Sequence, residues 1–187
     1  MLKDIVGWQY TGFVLKEGGI TVEHDGGAGA VMARMQISEP SKGYSSTMQF
    51  SDPTTAVSSK MNAGGLRIGS IGTDKLEPVI TARNIGSTSS WVKATLPYTD
   101  LNGDVKNIDI PQRLVLAGKT ASIDLRTYIA VANLPSSITF TGIEIEYTTA
   151  PGTILLSAVS PSKSGKHVYT VPLMDPQRMP SSAGGFP

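Results

Sequence analysis

Along most of the chain, apolar and polar residues alternate in short runs, and Gly, Pro, Asn, Asp and Ser break the runs. This is the pattern of half-buried β-strands joined by turns; no window sustains the 3.6-residue period of a long amphipathic helix. In WVKATL, Trp91, Lys93 and Thr95 fall on one strand face and Val92, Ala94 and Leu96 on the other. Val79 to Asn84 alternates in the same way. Asn102-Gly103 suits a tight hairpin, because both residues take positive φ at little cost. Pro151-Gly152 suits a type II turn, with proline setting the first central φ and glycine taking the positive one. QRLVL and TASIDL read as a strand pair bent at AGK, and TYIAVAN as a connection with one helical turn that Pro135 terminates. Residues 66–173 therefore carry roughly eight or nine strands, the spacing of an antiparallel sandwich.

Before residue 66 the chain reads differently. One or two short strands fall within residues 1–17, and further strands at Ile20 to Glu23, Ala30 to Ile37 and Tyr44 to Phe50. Residues 52–65 have no period and read as a loop with at most one short helical turn. Residues 19–53 also form a degraded copy of residues 142–176. Gly19, Ile20, Glu23 and Gly29 match Gly142, Ile143, Glu146 and Gly152, and Asp52-Pro53 matches Asp175-Pro176. Ser58-Ser59 and Ala63-Gly64-Gly65 then answer Ser181-Ser182 and Ala183-Gly184-Gly185, with small loop insertions. A repeated unit speaks to architecture and names no reaction. The expected organisation is a partial β repeat over 1–65, equivalent to 142–185, ahead of a complete β-sandwich over 66–187. The partial copy alone would leave an apolar face and an open edge, so it must pack on the next unit, on another chain or on further sequence of the same protein, and a homo-oligomer through it is one outcome.

The run ITARNIGSTSSWVKATLPYTD, followed by LVLAGKTASIDL and GIEIEY, resembles the immunoglobulin-like sandwich domains of bacterial surface and secreted proteins, including the cell-adhesion-related type. The residues that carry the likeness are Asn84, Gly86, Leu116, Gly118, Thr120, Ile123 and Leu125; Ala117 stands where those domains commonly have proline. The likeness covers about residues 66–147. It implies an all-β, antiparallel immunoglobulin-like sandwich used as a spacer or protein-interaction module, with a carbohydrate-binding module as the alternative, and it carries no catalytic residues or cofactors.

Composition narrows the partners. Sixteen Lys and Arg against fifteen Asp and Glu give a net charge of +1 over 187 residues, with no concentrated basic run. Nucleic acid and anionic membranes are therefore poor partners, and no apolar run is long enough to insert in a bilayer. A protein or polysaccharide surface remains as the partner class. Cysteine is absent, which fits both the cytosol and bacterial envelopes. Read with the likeness, a secreted, periplasmic or cell-surface location is expected; MLKDIVGWQY lacks the apolar centre of a signal peptide.

Candidate chemistry is sparse. Asp100, Asn102 and Asp104 alternate as in a calcium loop, but the sixth and twelfth positions hold Val105 and Pro111, so a hairpin turn explains them with fewer assumptions. His24 and His167 are the only histidines, and His24 with Glu23 and Asp25 cannot converge from one strand. The serine runs contain no nucleophile elbow, and the GGAG and AGG clusters open no helix after a strand. Glu144 and Glu146 share a strand face and read as solvated. Exposed aromatic platforms bind sugars, and Trp8, Tyr10, Trp91 and Tyr98 are the ligand-binding candidates. No catalytic residue, metal or cofactor is assigned, and the expectation is a non-enzyme.

Overall fold

The computed structural model describes residues 22–27, 33–39, 41, 44–50 and 52–178. Strands β1 (Arg34–Glu39) and β2 (Tyr44–Gln49) form a hairpin, and a 3₁₀ turn at Pro53–Thr55 leads into β3 (Lys60–Arg67). Then follow β4 (Ser70–Ile71), β5 (Asp74–Lys75), β6 (Val79–Asn84), β7 (Ser90–Thr99), β8 (Val105–Val115) and β9 (Thr120–Asp124). Helix α1 (Arg126–Ala132) precedes β10 (Phe140–Tyr147), β11 (Ile154–Pro161) and β12 (Val168–Val171), and a second 3₁₀ turn spans Pro176–Arg178. Two four-stranded antiparallel sheets, ordered β3-β10-β7-β8 and β12-β11-β6-β9, stack with their apolar faces inward. The core is one cluster in which Val92, Ala94, Leu96, Ile143 and Ile145 of the first sheet join Ile80, Ala82, Ile123, Ile154 and Ala158 of the second. The protein is an all-β antiparallel sandwich, as the alternation predicts.

Sheet membership departs from the sequence reading. β8 pairs with β7 and β9 pairs with β6, so QRLVL and TASIDL lie in different sheets rather than side by side. The same crossing separates β6 from β7 and β10 from β11, so the repeated segment is not a continuous meander. The crossovers are turns of defined chemistry. Gly118 takes φ +67°, Lys119 N–H donates to the Leu116 carbonyl at 3.0 Å, and Asn84 N–H donates to the Lys119 carbonyl at 2.9 Å. The helix starts earlier than TYIAVAN and ends on Asn133, whose left-handed φ of 47° stops it two residues before Pro135.

The largest departure lies before residue 66. The expected loop over 52–65 contains the predicted short helical turn but also most of β3, which crosses the expected division between units and pairs with β10 from Lys60 opposite Glu146 to Arg67 opposite Phe140. Gly64-Gly65 hides this strand in the sequence: Gly65 sits at φ +81°, and the β3–β10 register shifts between Thr141 and Ile143. A bulge erases strict alternation. In the N-terminal copy, β1 and β2 match the expected strands, whereas Val22 to His24 are outside any strand, unlike their counterparts in β10. The expected strands in residues 1–17 lie outside the described residues.

Asn84 and Gly86, two residues of the immunoglobulin-like likeness, have a physical role. Asn84 is fully buried; its Nδ2 donates to the carbonyls of Thr88 at 2.8 Å and Val115 at 3.0 Å, and its Oδ1 accepts from Gly86 N–H at 2.9 Å. One amide side chain thus ties the β6–β7 crossover to the end of β8. At Gly86 a Cβ would lie 3.2 Å from Thr153 Cβ, so the turn is also tight. Replacing Asn84 with Ala removes all three bonds and leaves the Val115 carbonyl without this partner in the interior, and is expected to lower unfolding free energy by about 3 kcal/mol in urea denaturation. A loss under about 1 kcal/mol would show that the latch is not structural.

Candidate functional site

Recesses of two sizes on the described surface bear on function. The larger, of about 780 Å³, lies between the β1–β2 hairpin, the segment leading into β3, and strands β10 to β12; Phe50, Met61, Tyr147, Ile154, Val171 and Leu173 are among its lining residues. Its geometry is set by a seam around residues 53–58. The Tyr147 hydroxyl accepts from Gly152 N–H at 2.9 Å and reaches the Ser58 carbonyl at 3.4 Å. Gly152 takes φ +80°, and a Cβ there would sit 2.1 Å from the Pro53 carbonyl oxygen. Only glycine lets the β10–β11 turn approach this segment so closely. Burial holds the Tyr147 hydroxyl above the ordinary phenol range, so it remains protonated and able to donate at neutral pH.

Asp175 closes the seam. Its Oδ2 accepts from Val57 N–H and Ser58 N–H, both at 3.0 Å, and its Oδ1 accepts from Gln177 N–H at 3.0 Å. Burial acts to raise its pKa, but the three N–H donors outweigh it and hold the carboxyl below the usual carboxylate range, with Arg178 adding a smaller attraction. Both oxygens are occupied by backbone groups, so this carboxylate is a clamp rather than an available base.

The smaller recess, about 250 Å³, lies on the outer face of the β3-β10-β7-β8 sheet. Register builds it row by row. Lys60 and Lys93 flank Glu146, and Lys60 forms an ion pair with it; Asn62 and Thr95 flank Glu144, and Thr95 Oγ1 bonds Asp109 Oδ1 at 3.3 Å on the next strand. The glutamates read in the sequence as a solvated pair lie on this exposed face. At one end Trp91 stands opposite Leu114, and both are exposed, Trp91 by 45%. At the other end Phe140, 51% exposed, stands opposite Arg67, whose guanidinium lies 5.5 Å from the Phe140 ring centroid and 4.8 Å from that of Tyr169.

The remaining sequence candidates do not gather. Tyr98 belongs to the same strand as Trp91 but packs against the core, because seven positions of period two put them on opposite faces. Trp8 and Tyr10 lie outside the described residues. In the β7–β8 turn, Asp100 Oδ1 accepts from Asn102 N–H at 2.9 Å and Asp104 N–H at 3.0 Å, while Lys106 Nζ lies 3.7 Å from Asp100 and 3.5 Å from Asp104. The residues weighed for calcium thus hold a hairpin end already balanced by a lysine. His24 lies within electrostatic reach of Asp52, and His167 of Asp74. Among the described residues no three His, Cys, Asp or Glu side chains converge as metal ligands, and no helix is long and apolar enough to cross a membrane. Phe140 was missed by the aromatic reading, yet counting back by twos from Glu146 and Glu144 places it on their face.

No family model matches the chain, and no curated protein sequence matches it. Among solved structures it is similar to the Anabaena sensory rhodopsin transducer, at 17% identity and a TM-score of 0.38, over 53% of this chain and 92% of that one. It is also similar to Thermotoga maritima 1070, at 10% identity and a TM-score of 0.41, over 63% of this chain and 90% of that one. Likeness at these scores assigns neither a family nor a function.

The seam generates a pH prediction. A carboxyl whose folded pKa lies below its unfolded value adds stability above the unfolded value and loses it as pH falls through the folded one. Asp175→Asn should therefore be less stable than the parent chain at neutral pH, with the difference shrinking as pH falls from the ordinary carboxyl range through the folded carboxyl's lower pKa. Melting temperatures of the two proteins across the acid range check this; a gap that stays constant with pH would contradict it.

Proposed function

We propose that the chain is a stretch of a tandem array of immunoglobulin-like β-sandwich units, a non-catalytic module outside the cytoplasm that acts as a spacer or protein-interaction surface. The single observation that supports this reading most is the correspondence of two hairpins. Met35 opposite Met48 and Gln36 opposite Thr47 in β1–β2 fall, in the alignment of the copies, on Ala158 opposite Val171 and Val159 opposite Thr170 in β11–β12. Each hairpin then runs into an Asp-Pro that opens a 3₁₀ turn, with the aspartate accepting from the N–H two residues on: Thr54 to Asp52 at 2.9 Å, Gln177 to Asp175 at 3.0 Å.

On this reading the structural unit runs from about residue 56 to residue 178. β1 and β2 are the closing strands of a neighbouring unit, and the sequence of Ser181 to Gly185 repeats Ser58-Ser59 and Ala63-Gly64-Gly65. Within the sandwich β11 lies between β12 and β6; its counterpart β1 pairs only with β2 among the described residues. In an array the vacant edge of β1 belongs to the neighbouring unit's equivalent of β6, which also removes an aggregation-prone edge.

Two fragments test the boundaries. Residues 54–178 should unfold cooperatively near the melting temperature of the sandwich in the whole chain. Residues 66–187, which lack Lys60 to Gly65 and the Val57 and Ser58 amides, should fail to fold. A stable 66–187 fragment would sink the phasing. Fractionation of producing cells tests the location, and a protein confined to the cytosol would overturn that part of the reading.

A further inference from the structure

We infer that the outer face of the β3-β10-β7-β8 sheet binds an extended neutral polysaccharide, with Trp91 and Phe140 as the two apolar platforms and the polar rows between them meeting the sugar hydroxyls. This does not rest on the array reading, because the face belongs to one sandwich unit.

Four observations converge. First, the two large aromatic rings stand out from the same face, at opposite ends of it. Trp91 is held beside Thr148 by two hydrogen bonds of 3.1 Å, so it lies at the end of β10 remote from Phe140. At ~3.3 Å per strand residue the platforms are about 25 Å apart, which suits a chain ligand rather than a single small molecule. Second, the strip between them is indented, and the 250 Å³ recess is lined by Lys60, Asn62, Lys93, Thr95, Glu144 and Glu146. Third, the strip's charge is close to balanced: Lys60 and Lys93 face Glu144, Glu146 and Asp109. Such a surface gives no net attraction to a polyanion or polycation, while its interleaved donors and acceptors match hydroxyl groups, which both donate and accept. Fourth, the face is fixed. Its rows are set by strand register, and at Gly142 of β10 a Cβ would come within 2.8 Å of Pro97 Cγ, so the strands there are closely packed. A preorganised face does not lose affinity to ordering of the protein on binding.

The CH faces of a pyranose ring stack on aromatic rings, and Trp91 and Phe140 are left 45% and 51% exposed; Phe140 carries the Arg67 guanidinium beside its ring as a further donor to sugar hydroxyls. Glu144 sits at the centre without an ion pair among the described residues, so its carboxylate is free to accept from sugar hydroxyls.

Affinity gel electrophoresis of the whole chain tests the inference, with gels containing hydroxyethyl cellulose, xyloglucan, galactomannan or soluble xylan, and with alginate and polygalacturonate as anionic probes. Retardation is expected in at least one neutral gel and not in the anionic ones. Trp91→Ala and Phe140→Ala should each weaken it by about tenfold, the effect of removing a dominant contact. Glu144→Gln should weaken it severalfold with an unchanged melting temperature, which separates lost binding from lost folding. Leu101→Ala, in an exposed turn off this face, should bind as the parent does. No retardation in any neutral gel, retardation only by the anionic polymers, or retardation that survives both aromatic substitutions would each overturn the assignment.

Discussion

Strand β3 fixes how the two sheets of this sandwich sit on one another. It pairs with β10 in one sheet, and it and the residues leading into it are tied at three points to β11 of the other sheet or to the segment that follows β12. Its approach is held by the Asp175 carboxylate, Asn62 exchanges two backbone bonds of 2.8 Å with Met174, and Ser160 Oγ of β11 donates to the Arg67 carbonyl at 2.6 Å. The core between the sheets is apolar, and apolar contact is strong but without direction. The directed bonds along β3 set the offset of one sheet relative to the other. They also carry the Arg67 side chain to the sheet boundary, where it lies over Tyr169 of β12 and donates to its hydroxyl at 3.3 Å.

This explains what could and could not be read from the chain. Alternation in Trp91 to Leu96 and in Val79 to Asn84 reports a property of single strands, and the structure has those faces as expected. Turn chemistry is partly local: Gly152 takes the positive φ its turn requires, and so does Gly103, but Asn102 does not, and β7 and β8 are joined by the longer connection 100–104 rather than by the expected tight Asn-Gly hairpin. Which strand pairs with which is not local. A turn such as Leu116 to Lys119 can close a hairpin or carry the chain to the other sheet, and what settles it here is Asn84, bonded to a carbonyl 31 residues away. β3 was invisible for a related reason: its glycines break the period, and its pairing partner lies far along the chain.

The candidate face divides in the same way. Trp91 was legible because its strand is strictly alternating, and Phe140 was equally accessible by parity. Tyr98 failed because residue type was weighed without parity. The Arg67–Tyr169 contact joins residues 102 apart and has no local trace. The absence of a convergent metal-ligand cluster among the described residues is likewise a statement about assembly, since the carboxylates of Asp52, Asp100 and Asp175 all accept from backbone amides.

The two copied segments bear on the same distinction between local and long-range order. A β-hairpin supplies its own ladder, so β1–β2 can hold the register of β11–β12 without the rest of a sandwich, and the Asp-Pro turn after it needs only its own residues. A strand such as β10 has no self-contained ladder. It is a strand because β3 and β7 pair with it on either side, and Ile143 and Ile145 are buried because a second sheet covers them. Val22 to His24 carry the corresponding positions without such neighbours among the described residues, and they form no strand. Related sequence therefore yields related structure only where the bonds that define it are close in the chain, and the difference between the copies measures how much of the sandwich each strand borrows from its neighbours.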